Sequence, residues 1–385
     1  MRVDANSREA PVNPQAMSQE NVGRVAVQTP GRSPAVKARD ELDAWTRELM
    51  RWHFSPETGS RFWLDWKARA GWDPRDKIGG ADDLHRFGPF QDDWLRFTPL
   101  EDWVPRPYAG KPYRVFETGG STGMPKQRLD WHDYQTDYTM FSEKLDPRYF
   151  PPRAGWLHMG PTGPRRLRLA IEHLANIRGG PCFHVDLDPR WVVRLVKAGD
   201  RQTLTAYMEH LMEQSVTLLR HRPIRCLYST PRLLEALAER VSIPGVGVTG
   251  VFCGGTSMSP QVVRFLVEEV LENKVHFAPT YGNVLMGVAY ARPIMPEDNW
   301  SVTYYAPQPR ALLRVVDPAD PSQTVDYGHW GRIMLNTLTR ELFMPNFLER
   351  DEAVRAEPYA AYPWDGVRDV RPFVGMGEKV VEGVY

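Results

Sequence analysis

The chain has 385 residues, in which 48 lysines and arginines balance 48 aspartates and glutamates. This zero formal net charge gives no support to binding of nucleic acid or of an anionic membrane. No apolar run reaches the roughly 18 residues of a membrane span and no apolar signal core opens the chain, so the default expectation is a cytoplasmic protein.

The first residues differ in character from the rest of the chain. Residues 1–36 are polar, rich in proline, serine, glutamine and valine, and lack helical or alternating apolar periodicity, which predicts a disordered tail. Near Glu41 the pattern changes, because Leu42, Trp45 and Leu49 recur at helical spacing. We therefore expect a folded domain over residues 37–375.

The most informative segment is a run of nine residues, Thr118-Gly119-Gly120-Ser121-Thr122-Gly123-Met124-Pro125-Lys126. Its glycines let backbone N–H groups approach an anion closely, its hydroxyls donate to anion oxygens, and its lysine adds positive charge. It is not a Walker A loop, because proline precedes the lysine and Gln127 follows it. The pattern predicts a nucleotide-phosphate loop; the alternative is a surface turn joining two strands.

After this run the pattern becomes that of an α/β protein. Residues 115–117 and 127–129 are predicted as strands that flank the run. Strands predicted near 156–159, 182–185, 225–228, 250–253 and 275–278 alternate with amphipathic helices. Such alternation implies largely parallel sheets covered by helices on both faces, and the chain becomes β-rich from about residue 300. Ligands of such sheets bind beyond the carboxyl ends of the strands.

Two glycine-containing stretches follow predicted strands. Gly254-Gly255-Thr256 comes directly after the strand ending at Cys253, and Tyr281-Gly282-Asn283 follows the next one. The paired glycines would let a flat base lie against the backbone, although glycine after a strand is also the usual residue of a turn.

A further stretch, residues 331–341, reads Gly-Arg-Ile-Met-Leu-Asn-Thr-Leu-Thr-Arg-Glu and is followed by Glu349-Arg350-Asp351. An ionised carboxylate such as that of Asp351 can accept hydrogen bonds from two ribose hydroxyls. The alternative for Asp351 is a solvated loop charge, because charged residues are mostly exposed.

Together these stretches resemble the adenylate-forming superfamily, which includes acyl- and aryl-CoA ligases and the adenylation domains of peptide synthetases. Within it the chain resembles the phenylacetate-CoA ligase branch and the adenylating proteins of phenazine-antibiotic biosynthesis. The resemblance implies the α/β fold of the large N-terminal domain of these enzymes: two mostly parallel sheets covered by helices, plus the β-rich subdomain from about residue 300.

The resemblance also implies site residues. Thr122 and Lys126 would be catalytic, and His158, Gly160 and Asn283 would contact the acid. For His158 a packed core histidine is the alternative. The implied nucleotide contacts are Thr118, Gly119, Gly120, Ser121, Thr122, Gly123, Lys126, Gly254, Gly255, Thr256, Tyr281, Gly282 and Asp351.

ATP is the implied cofactor, together with Mg²⁺. In the family a glutamate shortly after the Tyr-Gly pair helps to hold the metal, a hard cation that prefers oxygen ligands. Here the matching positions are Val284 and Leu285, or Leu285 and Met286 if one residue is deleted, so no protein metal ligand is predicted and triphosphate oxygens and water would carry the ion. The three cysteines show no Cys-x-x-Cys spacing, which predicts neither a disulfide framework nor a zinc site.

At its end the chain resembles the family's hinge, and residues 376–385 are interpreted as a remnant of it. The family's mobile C-terminal domain, which carries a catalytic lysine, is not expected in this sequence. Onward transfer of an acyl group would then fall to a partner or to the same protein, with CoA, an amine or a reductase as acceptor.

The sequence therefore predicts ATP-dependent adenylation of a carboxylic acid, by resemblance an aromatic acid of secondary metabolism, to acyl-AMP and pyrophosphate. The expected partners are the small-molecule acid and a downstream acyl-acceptor enzyme or CoA, with a possible homodimer and with neither nucleic acid nor membrane. The alternative is a degenerate protein that binds nucleotide or acid in an assembly or carrier role without catalysis.

Overall fold

The computed structural model describes residues 33–118, 123–164, 166–255 and 257–374. Its first helix begins at Pro34, three residues before the predicted start of the folded domain at residue 37. Proline is well suited to the first turn of a helix, and the alanines that follow it extend the helix back from Leu42. Residues 1–32 of the predicted tail and the whole predicted hinge remnant, residues 376–385, lie outside the described residues, as does Gly375.

Helices cover both faces of a large sheet. They are α1 Pro34–Phe54, α2 Arg61–Ala70, α3 Pro74–Lys77, α4 Trp94–Phe97, α5 Asp133–Ser142, α6 Arg166–Ile177, α7 Pro189–Ala198, α8 Arg201–His221, α9 Pro231–Ala238 and α10 Pro260–Phe265, the last continued by a π-helical turn Leu266–Val270. Short 3₁₀ turns occupy Ala81–Phe87, Leu100–Trp103, Arg106–Tyr108 and Pro296–Asp298.

The strands at 287–291, 303–305, 343–356 and 366–372 had no predicted position, whereas each of the five predicted between residues 156 and 278 is among the thirteen strands of the described residues. The thirteen strands are β1 Arg114–Glu117, β2 Gln127–Asp130, β3 Gly155–Pro161, β4 Cys182–Leu187, β5 Ile224–Ser229, β6 Gly250–Cys253, β7 His276–Asn283, β8 Gly287–Ala291, β9 Thr303–Tyr305, β10 Ala311–Val316, β11 Trp330–Leu338, β12 Phe343–Ala356 and β13 Gly366–Pro372.

Eleven of these strands form one mixed sheet in the order β10-β11-β12-β13-β9-β8-β7-β6-β5-β3-β4. Strands β3 to β7 pair in parallel, because helices α6 to α10 form the long crossovers between them. Every pairing from β7 through β13 to β10 is antiparallel. The α/β class is confirmed, whereas the expectation of two mostly parallel sheets is corrected to one sheet that is parallel in one half and antiparallel in the other.

The N-terminal helices pack on the antiparallel half through aromatic rings. Phe343, at the start of β12, lies with its ring centroid 5.1 Å from Trp63, 5.2 Å from Phe87 and 5.8 Å from Phe54. Phe54 and Phe343 are completely buried. Aromatic side chains bury a large area each, so this cluster accounts for much of the attachment of α1 and α2 to the sheet.

A buried network of charges joins α5 to β2, to the start of α6 and to the segments next to β10 and β11 in the antiparallel half of the sheet. Asp133 accepts hydrogen bonds from Arg128, Arg310 and Thr339, and Asp137 accepts from Arg310 and Arg166. Although burial opposes its charge, Arg128 and Arg310 lower the pKa of Asp133 to about 2. The network contains three guanidiniums and three carboxylates, so their charges balance. They belong to Arg128, Arg166 and Arg310 and to Asp130, Asp133 and Asp137.

Glu341 caps the start of α5 from a distant part of the chain. Its carboxylate accepts hydrogen bonds from the backbone N–H groups of Trp131 and His132 at 2.8 Å and of Asp133 at 3.3 Å. These N–H groups have no partner within the helix, so a carboxylate at this position stabilises the helix terminus. Burial and the nearby Asp133 raise the pKa of Glu341 to about 7.

Candidate active site

The nine-residue run connects β1 to β2, two antiparallel strands. Thr118 and Lys126 extend the hairpin, because the Thr118 N–H donates to the Lys126 carbonyl and the Lys126 N–H donates to Thr118 Oγ1, both at 3.0 Å. Gly123 has a φ of +108°, which glycine adopts readily. The two flanking strands are confirmed, while Gly119, Gly120, Ser121 and Thr122 lie outside the described residues, as does Thr256.

Lys126 is held on the side of the hairpin that faces α4. Its Nζ donates to Asp92 Oδ2 at 3.0 Å and lies 4.6 Å from the ring centroid of Phe347. The side chain is only 9% exposed. Arg96 of α4 donates to the carbonyl of Met124 in the same loop. The last part of the run is therefore anchored to the segment around α4 by one ion pair and one hydrogen bond.

Five of the predicted nucleotide and substrate residues line one cavity of about 240 Å³ at the carboxyl edge of the parallel strands. We call it the strand-edge cavity. The predicted residues that line it are Thr118, Gly254, Gly255, Gly282 and Asn283. Segments after β1, after β6 and at the end of β7 thus converge, as expected for ligand sites of parallel sheets.

Tyr281 and Gly282 lie within β7 and not in a loop after it. The first half of β7 pairs in parallel with β6, up to Pro279, and its second half pairs antiparallel with β8. The expected loop is replaced by a strand because Val284 to Met286 form a tight turn into β8. The N–H groups of Leu285 and Met286 donate to Asn283 Oδ1 at 2.9 Å, which holds this turn.

Two polar pairs link β7 to β12. Tyr281 donates from its hydroxyl to Asp351 Oδ2 at 2.9 Å, and Asn283 donates from Nδ2 to Glu349 Oε1 at 2.6 Å. Three strands separate β7 from β12, which in a flat sheet would place them about 19 Å apart. The antiparallel half must therefore curl over, and it brings the predicted ribose residue Asp351 to the predicted adenine residue Tyr281.

Glu349 is a site residue to which sequence reasoning assigned no role. It is 8% exposed, and burial together with Asp351 raises the pKa of its carboxyl to about 7, while Lys126 opposes this shift. The signal in the sequence was the alternation of Glu349 and Asp351, which places both side chains on one face of a strand. It was missed because the partner of Glu349, Asn283, is distant in sequence.

His158 and Gly160 lie behind the wall of the cavity. His158 is completely buried, and its ring stacks on the ring of Tyr228 with centroids 5.2 Å apart. Burial lowers the pKa of His158 to about 3, so the ring is neutral. A Cβ at position 160 would lie 2.7 Å from the Tyr228 ring and 3.2 Å from His158 Nε2. These two predicted substrate residues thus support Tyr228, which itself lines the cavity.

The part of the chain that the structure describes contains no group of three or more histidine, cysteine, aspartate or glutamate residues arranged to hold a metal ion. The carboxylate of Asp92, beside the last residue of the predicted phosphate loop, is paired with Lys126. Within the same described ranges, no helix is long and apolar enough to cross a membrane.

Solved structures of 2-hydroxyisobutyryl-CoA ligase share this fold. The ligase in its postadenylation state with 2-HIB-AMP superposes with a TM-score of 0.62 and 15% identity over 87% of this chain and 67% of the ligase. With R3-HIB-AMP the values are 0.63 and 14% over 90% and 72%, and an open conformation with 2-HIB-AMP and CoA gives 0.59 and 15% over 87% and 69%.

At this identity the likeness establishes the fold alone, which this chain shares with about 67% of the ligase. No protein-family model and no curated protein matches the sequence.

Proposed function

We propose that this protein adenylates a carboxylic acid with ATP. The carboxylate oxygen attacks the α-phosphorus, the bond from that phosphorus to the bridging oxygen of pyrophosphate breaks, and acyl-AMP and pyrophosphate leave. The fold is shared with a ligase that was solved with an acyl-adenylate, 2-HIB-AMP.

One observation carries the proposal: the strand-edge cavity joins Thr118, at the base of the phosphate-type loop, to the two glycine-containing segments at the ends of β6 and β7. A surface turn between two strands would not require these distant segments to meet at one cavity. A bound nucleotide must contact the phosphate loop with its phosphates and a backbone-lined site with its base, so these segments have to lie at one cavity.

In this proposal the chain's own groups position the reactants and stabilise charge, which are the main contributions to nucleotidyl transfer. The run from Thr118 to Lys126 holds the triphosphate, with Thr122 and Lys126 on the reacting phosphoryl groups. Gly254, Gly255 and Thr256 lie along the adenine. Asp351, oriented by Tyr281, accepts hydrogen bonds from the ribose hydroxyls. Mg²⁺ would be carried by triphosphate oxygens and water.

The acid is proposed to be aromatic, and the acyl-AMP to pass to CoA, an amine or a reductase in the biosynthesis of a phenazine-like secondary metabolite. Support for an aromatic acid comes from the aromatic side chains of Tyr138, Tyr228 and Phe252 in the wall of the cavity. Flat rings pack favourably against such side chains.

A second candidate function is binding of nucleotide or acid without turnover. The ion pair between Lys126 and Asp92 favours it, because a lysine already paired is less available to a triphosphate. Val284 and Leu285, at the positions of the family's metal-binding glutamate, favour it as well.

Pyrophosphate exchange into ATP, measured with a panel of aryl acids, tests the proposal. We expect exchange with at least one acid, and loss of most of it in Lys126→Ala with the fold retained. Lys197→Ala is the matched control, since Lys197 is an exposed lysine of α7. ATP binding by calorimetry without exchange for any acid would establish the second candidate instead, and absence of both would overturn the two together.

A further inference from the structure

Arg166 is a buried arginine whose side chain is only partly satisfied. It is 4% exposed, and its Nη2 donates to Asp137 Oδ2 at 2.9 Å. Its Nε and Nη1 have no hydrogen-bond partner in the part of the chain that the structure describes. A buried donor without a partner destabilises the fold, so native proteins keep such a group where water or a ligand satisfies it.

Arg166, which carries these N–H groups, lies in the wall of the strand-edge cavity. Arg166 and the next residue, Leu167, open the twelve-residue helix α6 and both line the cavity. Gly287 lies in the same wall, and a Cβ at that position would stand 2.6 Å from Asp137 Oδ2 and 3.5 Å from Arg166 Nη1. The backbone at Gly287 therefore packs closely against the pair of Arg166 and Asp137, and a side chain there would collide with it.

The surrounding charges decide what kind of group this corner accepts. Arg166 also lies 3.6 Å from a carboxylate oxygen of Asp130, so two carboxylates already neighbour its guanidinium. The wider network has equal numbers of guanidiniums and carboxylates before Glu341 is counted. An added anion would meet repulsion from Asp130 and Asp137, whereas a neutral oxygen can accept a hydrogen bond without it.

From this geometry we propose that Arg166 determines substrate specificity by donating a hydrogen bond to a neutral oxygen on the ring of the acid, so that the preferred substrates are hydroxy- or oxo-substituted aryl acids. This inference rests on the proposed function, because it takes the ligand of Arg166 to be the acid that is adenylated. The rings of Tyr228 and Phe252 form an apolar part of the same wall and would contact the ring of the acid, while Arg166 binds its polar substituent.

Calorimetric binding of acids without ATP tests the inference separately from catalysis. The probes are benzoate, its three hydroxy isomers, its three fluoro isomers and the three benzenedicarboxylates. We expect one hydroxybenzoate to bind about tenfold or more tightly than benzoate and than the fluoro isomer of the same geometry, since a charged donor strengthens the hydrogen bond. The dicarboxylates are expected to bind no more tightly than benzoate.

Arg166→Lys keeps a cation beside Asp137 but lacks the second nitrogen, and it is expected to remove the preference for the hydroxy isomer. Arg168→Lys is the control, because Arg168 is 40% exposed on the same helix and pairs with Glu172. If Arg166→Lys does not fold by its thermal melt, the comparison of hydroxy with fluoro isomers in the unaltered protein decides alone.

Equal binding of hydroxy and fluoro isomers, tightest binding of a dicarboxylate, or no binding of any acid would each overturn the inference. A hydroxy preference without pyrophosphate exchange supports it and counts against the proposed adenylation. Exchange that proceeds equally well with benzoate supports adenylation and overturns the inference.

Discussion

The hydroxyl of Tyr281 donates a hydrogen bond to the carboxylate of Asp351 at 2.9 Å, although 70 positions separate the two residues. The bond joins the second half of β7, where the sheet changes from parallel to antiparallel pairing, to the middle of β12. Asp351 is therefore oriented before any ligand arrives. Burial and this carboxylate raise the pKa of Tyr281 well above its usual value, so the tyrosine remains a donor.

The first prediction concerns this pair. Asp351→Asn is expected to weaken ATP binding about 10- to 100-fold, because a charged acceptor for ribose hydroxyls is lost, and Tyr281→Phe to weaken it less, about 3- to 10-fold. Calorimetry with ATP and 2′-deoxy-ATP measures both. Tyr327→Phe is the control, since Tyr327 makes a similar hydrogen bond to Asp365 at an exposed site. Unchanged ATP affinity in Asp351→Asn would mean that Asp351 does not contact the ribose.

The second prediction concerns pH. The pKa of Glu349 rises from 4.5 to about 7 on folding, so between these values the folded state holds a proton that the unfolded chain has released. The free energy of unfolding should therefore fall as pH rises through this window, by on the order of 1–3 kcal/mol from this group.

Glu349→Gln removes this titration while its amide oxygen can still accept from Asn283. Urea unfolding at pH values from 5 to 8 should thus give a flatter pH profile for the variant than for the unaltered protein. Glu235→Gln, on an exposed position of α9, should leave the profile unchanged. A profile equally steep in Glu349→Gln would contradict the assignment of the titration to Glu349.

The third prediction concerns Asp92 and Lys126. Their ion pair competes with a triphosphate for the lysine, so Asp92→Asn is expected to tighten ATP binding severalfold. Asp93→Asn is a matched control, because Asp93 is 75% exposed and its nearest cation, Arg96, is 3.8 Å away. Weaker ATP binding in Asp92→Asn would show instead that Asp92 orients Lys126 for the nucleotide.

The fourth prediction concerns Gly160. A Cβ at this position would contact the Tyr228 ring at 2.7 Å, so Gly160→Ala is expected to destabilise the fold by about 1–3 kcal/mol through overpacking. Gly163→Ala has nothing within 4 Å of the added carbon and should change the free energy of unfolding little. Chemical denaturation measures both. An equal, small effect in the two variants would show that Tyr228 moves aside at little cost.

Much of the site could be located from the sequence, because its signals are local. The hairpin strands on both sides of the phosphate-type loop and the glycines after β6 were predicted at the correct positions. The predicted loop containing Tyr281 was wrong, because the tight turn after Asn283 extends β7 into an antiparallel pair with β8. The local pattern around Tyr281 could not predict this pairing, because it depends on hydrogen bonds to β8, which comes later in the chain.

By itself the sequence determined the alternation of strands and helices, the parallel crossovers and the candidate residues at the strand ends, since hydrophobic period and turn chemistry act over a few residues. Only the tertiary structure decided that the sheet curls to join Tyr281 to Asp351, that Lys126 pairs with Asp92, and that Arg166 is buried at the cavity. Each of these contacts joins residues at least 29 positions apart or depends on burial, and charge, burial and hydrogen bonding between such segments arise only when the chain is packed.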